Sequence, residues 1–151
     1  MPMLNDRDRT ALAEIFANQL HEPVAIDLFT QRAADLVVPG YECATCRETN
    51  ALLEEVAGLA PQKITVRMHD FITEGEKARQ AGVDRIPALI FRGKNQGTLR
   101  YFGVPAGYEF SVFVGGLVDV SRGTTELSAA ARQQVAGLTA PVHVTVLVTP
   151  T

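Results

Sequence analysis

Apolar residues return along this chain at two spacings, one helical and one alternating. Leu12, Ile15, Phe16 and Leu20 share one face of a helix predicted over Asp6 to Leu20, with Asn5 or Asp6 as N-cap and Pro23 as its stop. Val24-Ala25-Ile26-Asp27-Leu28-Phe29-Thr30 then has strand character. Gln31 to Glu42 form a connection in which Pro39-Gly40 signals a turn. A second helix is expected from Cys43 to about Leu59, with Leu52, Leu53 and Val56 on one face and Pro61 beyond its end. Lys63 to His69 alternates as a strand, with Ile64, Val66 and Met68 on one side.

A short helix around Glu74 to Gln80 is closed by Gly82. Arg85-Ile86-Pro87-Ala88-Leu89-Ile90-Phe91 sets a proline at the start of an apolar strand. Gly93 to Gly97 (GKNQG) reads as a turn, and Thr98 to Phe102 as the second arm of a hairpin. A further helix spans Gly107 to Val120, carrying Phe110, Phe113, Leu117 and Val120 at helical spacing. From Val24 onward the order is strand, helix, strand, short helix, strand, strand, helix. A parallel βαβ unit joined to an antiparallel hairpin makes a small mixed α/β sheet flanked by helices.

The end of the chain repeats its beginning. Ala11 to Leu28 (ALAEIFANQLHEPVAIDL) lies over Ala129 to Val146 (AAARQQVAGLTAPVHVTV), with Pro23 matching Pro141. A period this long implies a duplicated domain rather than a solenoid. Residues 1–123 are therefore expected to form one unit. Residues 124–151 would begin a second, stopping inside its first strand at Thr149-Pro150-Thr151, as the start of a longer tandem protein. The simpler reading is a helix and an edge strand that close one domain.

Composition narrows the function. A chain of 151 residues suits one ordinary domain, and 46 % apolar with 21 % charged residues leaves material for a sizeable core. The net charge is −3 with no Lys/Arg block, which argues against nucleic acid as a partner. No apolar run approaches the ~18 residues a membrane span needs. The first residues, MPMLNDRDRT, are polar where a secretory signal would be apolar. The expected location is the cytoplasm, where thiols are normally reduced. Two cysteines there point to catalysis or metal binding rather than a structural staple.

Both cysteines lie in YECATCRETN, as Cys43-x-x-Cys46. Such a pair is half a zinc site, a redox dithiol, a stray disulfide or an accident. Its place beside a βαβ pattern points toward a thioredoxin-like redox motif. At a helix start, Cys43 meets unpaired backbone N–H groups and the positive end of the helix dipole. Both lower a thiol's pKa below the free value of ~8.5. Cys46, in the same turn, is expected to be more buried and protonated at rest. Tetrahedral zinc needs four ligands, and beyond the two cysteines only three scattered histidines remain, none at finger spacing. A dimer bridged by two such pairs keeps the metal-binding alternative open.

Arg100-Tyr101-Phe102-Gly103-Val104-Pro105-Ala106-Gly107-Tyr108-Glu109-Phe110, followed by Val118-Asp119-Val120-Ser121-Arg122-Gly123-Thr124-Thr125, resembles the glutaredoxin-like protein disulfide oxidoreductases. That family has two tandem thioredoxin-fold units, each with its own C-x-x-C. The N-terminal domain of the alkyl hydroperoxide reductase flavoprotein is similar. Val146-Leu147-Val148-Thr149-Pro150-Thr151 is similar to the strand leading into the family's second dithiol. The departure is the connection before Cys43, which is longer than usual.

The resemblance implies that Pro87 is a cis proline lying against the dithiol, with the Ile86 backbone offering an edge to an extended substrate. Among charged neighbours, Glu42 opposes a Cys43 thiolate, while Arg47 and Arg85 favour it. Asp27 is a candidate proton acceptor for Cys46. A carboxylate on an alternating strand, however, more often faces solvent or an edge than lies buried without a partner. His69 reads as a surface or satisfied histidine, and Tyr101 and Tyr108 as residues bordering the site.

The leading expectation is thus a thiol–disulfide oxidoreductase exchanging with protein or small-molecule disulfides, and with a thiol or flavoprotein as reductant. No cofactor beyond the Cys43–Cys46 disulfide and no metal is expected. The alternatives are a docking or electron-transfer module with a weak dithiol, or a metal-binding C-x-x-C domain.

Overall fold

The computed structural model describes residues 3–31 and 42–147. The Pro39-Gly40 turn and the chain end Thr149-Pro150-Thr151 lie outside them. Strand β1 (Val24–Thr30) is the centre of the fold, buried at every position except Ala25. A strand covered on both faces needs a near-continuous apolar run, which this one supplies apart from Asp27 and Thr30. Strand β2 (Ile64–Asp70) runs parallel to it, Val24 opposite Ile64 and Thr30 opposite Asp70. Strand β3 (Ala88–Arg92) is antiparallel, Phe29 opposite Ala88, and β4 (Leu99–Phe102) completes the hairpin. The sheet order is β2-β1-β3-β4.

Parallel neighbours need a long crossover, and the helix α2 (Cys46–Leu59) provides it. Its Leu52, Leu53 and Val56 meet Val24, Ile26 and Leu28 in the main core. The same core takes Leu12 and Phe16 of α1 (Asp6–Gln19), and Phe113, Leu117 and Val120 of α4 (Phe110–Arg122). The opposite sheet face is covered by the short α3 (Gly75–Gln80), where Ala78 and Val83 pack on Phe29, Ala88 and Ile90. Three helices on one face and one on the other give a thioredoxin-like α/β fold.

Local chemistry explains the boundaries. Asn5 Oδ1 accepts the Asp8 N–H at 2.8 Å, capping α1, whose first turn also carries Asp6 and Asp8 at the positive end of the dipole. Glu55 of α2 accepts Met3 N–H at 2.6 Å and Arg9 Nη1 at 2.7 Å, tying α1 to α2. Gly123 ends α4 in the left-handed region, φ 69°. The β3–β4 turn seats against that helix end: a Cβ on Gly93 would lie 2.9 Å from the Val120 carbonyl oxygen.

Two expectations are corrected. Helix α2 starts at Cys46, not Cys43, because Thr45 at φ −109°, ψ −2° stands outside ideal helical geometry. A single 3-10 turn, Gly107–Glu109, precedes α4 where one continuous helix was expected. Toward the C-terminus, α5 (Ala129–Ala136) forms as the repeat pattern predicts, capped by Ser128. The alternating segment after Pro141 pairs with no strand among the described residues. Val142, Val144 and Val146 stand exposed.

Candidate active site

All the elements that build the site end at one edge of the sheet. Strand β1 finishes at Thr30, whose carbonyl accepts the Phe71 N–H at 2.9 Å. The Thr30 hydroxyl donates to Asn50 Oδ1 of α2 at 3.0 Å, locking strand end to helix. The chain returns at Glu42, and Cys43 is joined by a disulfide to Cys46, the first residue of α2, with Cα atoms 5.4 Å apart. Thr49 tightens this turn: its N–H and hydroxyl both reach the Thr45 carbonyl, at 3.0 and 2.9 Å.

The two sulfurs are not equivalent. Cys46 is 2 % exposed and sits under the helix start, while Cys43 is half-buried. Only Cys43 is open to an incoming group. Gln31, the residue after β1, touches both: its backbone N–H donates to Cys46 Sγ at 3.5 Å, and its side-chain Oε1 accepts the Cys43 N–H at 3.0 Å.

The Ile86–Pro87 peptide bond is cis. Since Phe29 pairs with Ala88, Pro87 stands level with the end of β1, the same edge at which Gln31 meets Cys46. Pro87 is buried and Ile86 half-buried, and the Pro87 carbonyl accepts the Gly103 N–H at 2.9 Å.

The charged candidates separate. Arg47 lies exposed in the first turn of α2, beside Glu48. Arg85 is turned elsewhere: Nε and Nη2 bind the Asp84 carboxylate at 2.9 and 3.2 Å, and the guanidinium lies over the Phe102 ring, 5.4 Å from its centroid.

Asp27 is 6 % exposed but faces away from α2, because Val24, Ile26 and Leu28 take that face of the alternating strand. Its Oδ2 accepts from Arg92 Nε at 2.6 Å. Oδ1 lies 3.3 Å from Arg67 Nε and 3.6 Å from His69 Nε2, without a hydrogen bond. Burial pushes the carboxyl up, but the Arg92 bond and the charges of Arg67 and Arg92 outweigh it and hold Asp27 below its ordinary value.

His69 is buried, stacked 5.1 Å from Phe29, with Nδ1 at 3.0 Å from both Glu74 and Lys77. Tyr101 donates to Glu109 and, at 3.3 Å, to the Val104 carbonyl, and Tyr108 is exposed. Burial, then the Glu109 bond, pushes the Tyr101 phenol up. Among the described residues no group of three His, Cys, Asp or Glu side chains converges to hold a metal ion. No helix among them is long and apolar enough to cross a membrane.

Sequence reasoning missed Gln31 and the Thr30–Asn50 lock. Both depend on where β1 ends against α2, and no local pattern marks them.

The fold and the site define a thioredoxin-like domain with a C-x-x-C disulfide, and solved structures share that fold. A mutant of the alkylhydroperoxide reductase AhpF from Enterococcus faecalis superposes with a TM-score of 0.70 at 22 % identity, over 89 % of this chain and 61 % of that one. A protein disulfide oxidoreductase from Aeropyrum pernix gives 0.71 at 21 % identity, over 89 % and 55 %. The NTD_N/C domain of the Enterococcus faecalis AhpF gives 0.68 at 22 % identity, over 87 % and 59 %. The chain thus spans less than two thirds of each of these chains. No family model matches the sequence, and no curated protein is significantly similar to it.

Proposed function

We propose that the chain is a thiol–disulfide oxidoreductase. The observation that carries this reading is the asymmetric dithiol: a half-buried Cys43 bonded to a buried Cys46 at the head of α2. Reduced, Cys43 is the nucleophile, favoured as thiolate by the N–H groups of the helix start and by Arg47. Its thiolate attacks one sulfur of a substrate disulfide, and the other sulfur leaves as thiolate. Cys46, deprotonated, then attacks Cys43 in the mixed disulfide. The second substrate thiolate leaves, and the Cys43–Cys46 bond is restored. Pro87 and the Ile86 backbone are the proposed substrate-binding edge, supported by their place level with the end of β1. The proposed substrates are protein or small-molecule disulfides, with a thiol or flavoprotein as reductant and no cofactor beyond the disulfide itself. Such electron transfer suits the reducing cytoplasm. Arg85, paired with Asp84, and Asp27, on the far face of β1, take no part in tuning the dithiol in this reading.

Residues 124–151 are proposed to begin a second thioredoxin-like unit. The exposure of Val135 on α5, of Leu127 and Leu138 flanking it, and of Val142, Val144 and Val146 on the alternating segment supports this, since such a surface is ordinarily covered. Limited proteolysis checks it: cleavage after Gly123 should leave the remaining unit melting at the same temperature.

The activity is tested by incubating the chain with insulin and dithiothreitol. Cys43→Ser should abolish turnover, and Cys46→Ser should accumulate a mixed disulfide with substrate. Variants indistinguishable from wild type sink the proposal. Stoichiometric zinc in the purified protein would favour the metal-binding alternative.

A further inference from the structure

Building on the oxidoreductase reading, we infer that Gln31 is a positioning residue for the dithiol. It presents Cys43 to the incoming thiolate and stabilises the charge that arrives on Cys46. One residue addresses both halves of the disulfide, through its side chain to Cys43 N–H at 3.0 Å and its backbone N–H to Cys46 Sγ at 3.5 Å. The anchor behind it is rigid. Gln31 follows Thr30 directly, and Thr30 is fixed to the Phe71 N–H on one side and to Asn50 of α2 on the other. Cys43 has no such support from its own element, because α2 begins three residues later. The Gln31 bond is a tether on Cys43 that does not run through the sulfur–sulfur bond.

The opening step shows what each arm does. A thiolate of the reductant forms a new bond to Cys43 Sγ while the Cys43–Cys46 bond breaks, and the electron pair moves to Cys46 Sγ. That sulfur is 2 % exposed, so water cannot solvate the arriving charge well. The Gln31 N–H already points at it, and a hydrogen bond to an ionised acceptor is stronger than one to a neutral acceptor. Cys46 then takes a proton from solvent. In the return step the same N–H favours deprotonated Cys46, the form that attacks the mixed disulfide. The side-chain arm meanwhile holds the Cys43 backbone, and with it the sulfur, in line for both attacks.

The side-chain arm is accessible to substitution. Gln31→Met keeps the shape and loses the acceptor; Gln31→Glu keeps an acceptor and adds a negative charge beside Cys43. With the full chain, three quantities are measured: the rate at which dithiothreitol reduces the disulfide, the pH dependence of Cys43 alkylation by iodoacetamide, and the melting temperature of the oxidised form. Loss of one side chain–backbone hydrogen bond should slow reduction of Gln31→Met by about three- to tenfold, with the melting temperature of the oxidised form lowered by no more than about 2–4 °C. Gln31→Glu should shift the alkylation profile to higher pH, because its carboxylate opposes the Cys43 thiolate. A Gln31→Met variant reduced at the wild-type rate, together with a wild-type alkylation profile in Gln31→Glu, overturns the proposal. These readouts need no substrate turnover. A wild type that opens and closes its disulfide without turning over insulin refutes the oxidoreductase reading but still scores Gln31.

Discussion

On one face of β1, Val24, Ile26 and Leu28 press against α2 and α4 in the main core; on the other, Asp27 sits among Arg67, Arg92 and His69, beside Phe29. The apolar face holds α2 in place, and α2 carries Cys46 and the Thr30–Asn50 lock. The charged face is balanced within itself by half-exposed arginines, and in the proposed reading it takes no part in the dithiol. The two loads sit one residue apart on a single strand, so a substitution on either side tests a different property.

The largest effect is expected from Leu28→Ala. Leu28 is fully buried, and such truncations cost about 2–5 kcal/mol, read as a shift in the urea midpoint. The damage should reach the site as well, read as a changed rate of disulfide reduction.

Asp27→Ala should cost less, about 1–3 kcal/mol, because Arg67 and Arg92 are half exposed and regain water when their partner is lost. Its dithiol should be reduced at the wild-type rate. A changed alkylation profile for Cys43 in this variant would break the separation of the two faces.

Acid sharpens the comparison. The Asp27 pKa in the folded chain lies below the ordinary 3.8, so the unfolded chain binds more protons between the two values. The contribution of Asp27 is therefore complete above 3.8 and is lost as pH falls through the folded value. Urea titrations between pH 2 and 7 should show wild type losing more stability at the acid end than Asp27→Asn. Equal acid sensitivity would mean that the arginine contacts contribute nothing.

The smallest effect is expected from Val144→Ser. Val144 stands exposed and touches neither core, so the change should stay within about 0.5 kcal/mol.

Much of this arrangement was legible in the residues. The βαβ and hairpin order, the boundaries of β1, and the short helix closed by Gly82 all follow from periodicity and turn residues, because each depends on neighbours within a few positions. The C-x-x-C pointed to the site for the same reason, while the role of Pro87 came from the resemblance. The cis state of Pro87 was expected from resemblance and appears in the structure. Arg85 was harder: its sign suited a thiolate, but in the structure its guanidinium pairs with the neighbouring Asp84 and lies over the Phe102 ring. The start of α2 was misplaced by three residues, because helical spacing runs back through Ala44-Thr45 whether or not the backbone does.

The amino-acid sequence by itself determined the elements, the pair of thiols and the proline at the start of β3. These are short-range properties, set by side-chain periodicity and by the restricted dihedrals of proline and glycine. Only the tertiary structure decided which face of β1 Asp27 occupies and that Gln31 bridges the two cysteines. Those relations join residues brought together when β1, α2 and β3 pack, and the energies that fix them come from burial and pairing across the chain rather than along it.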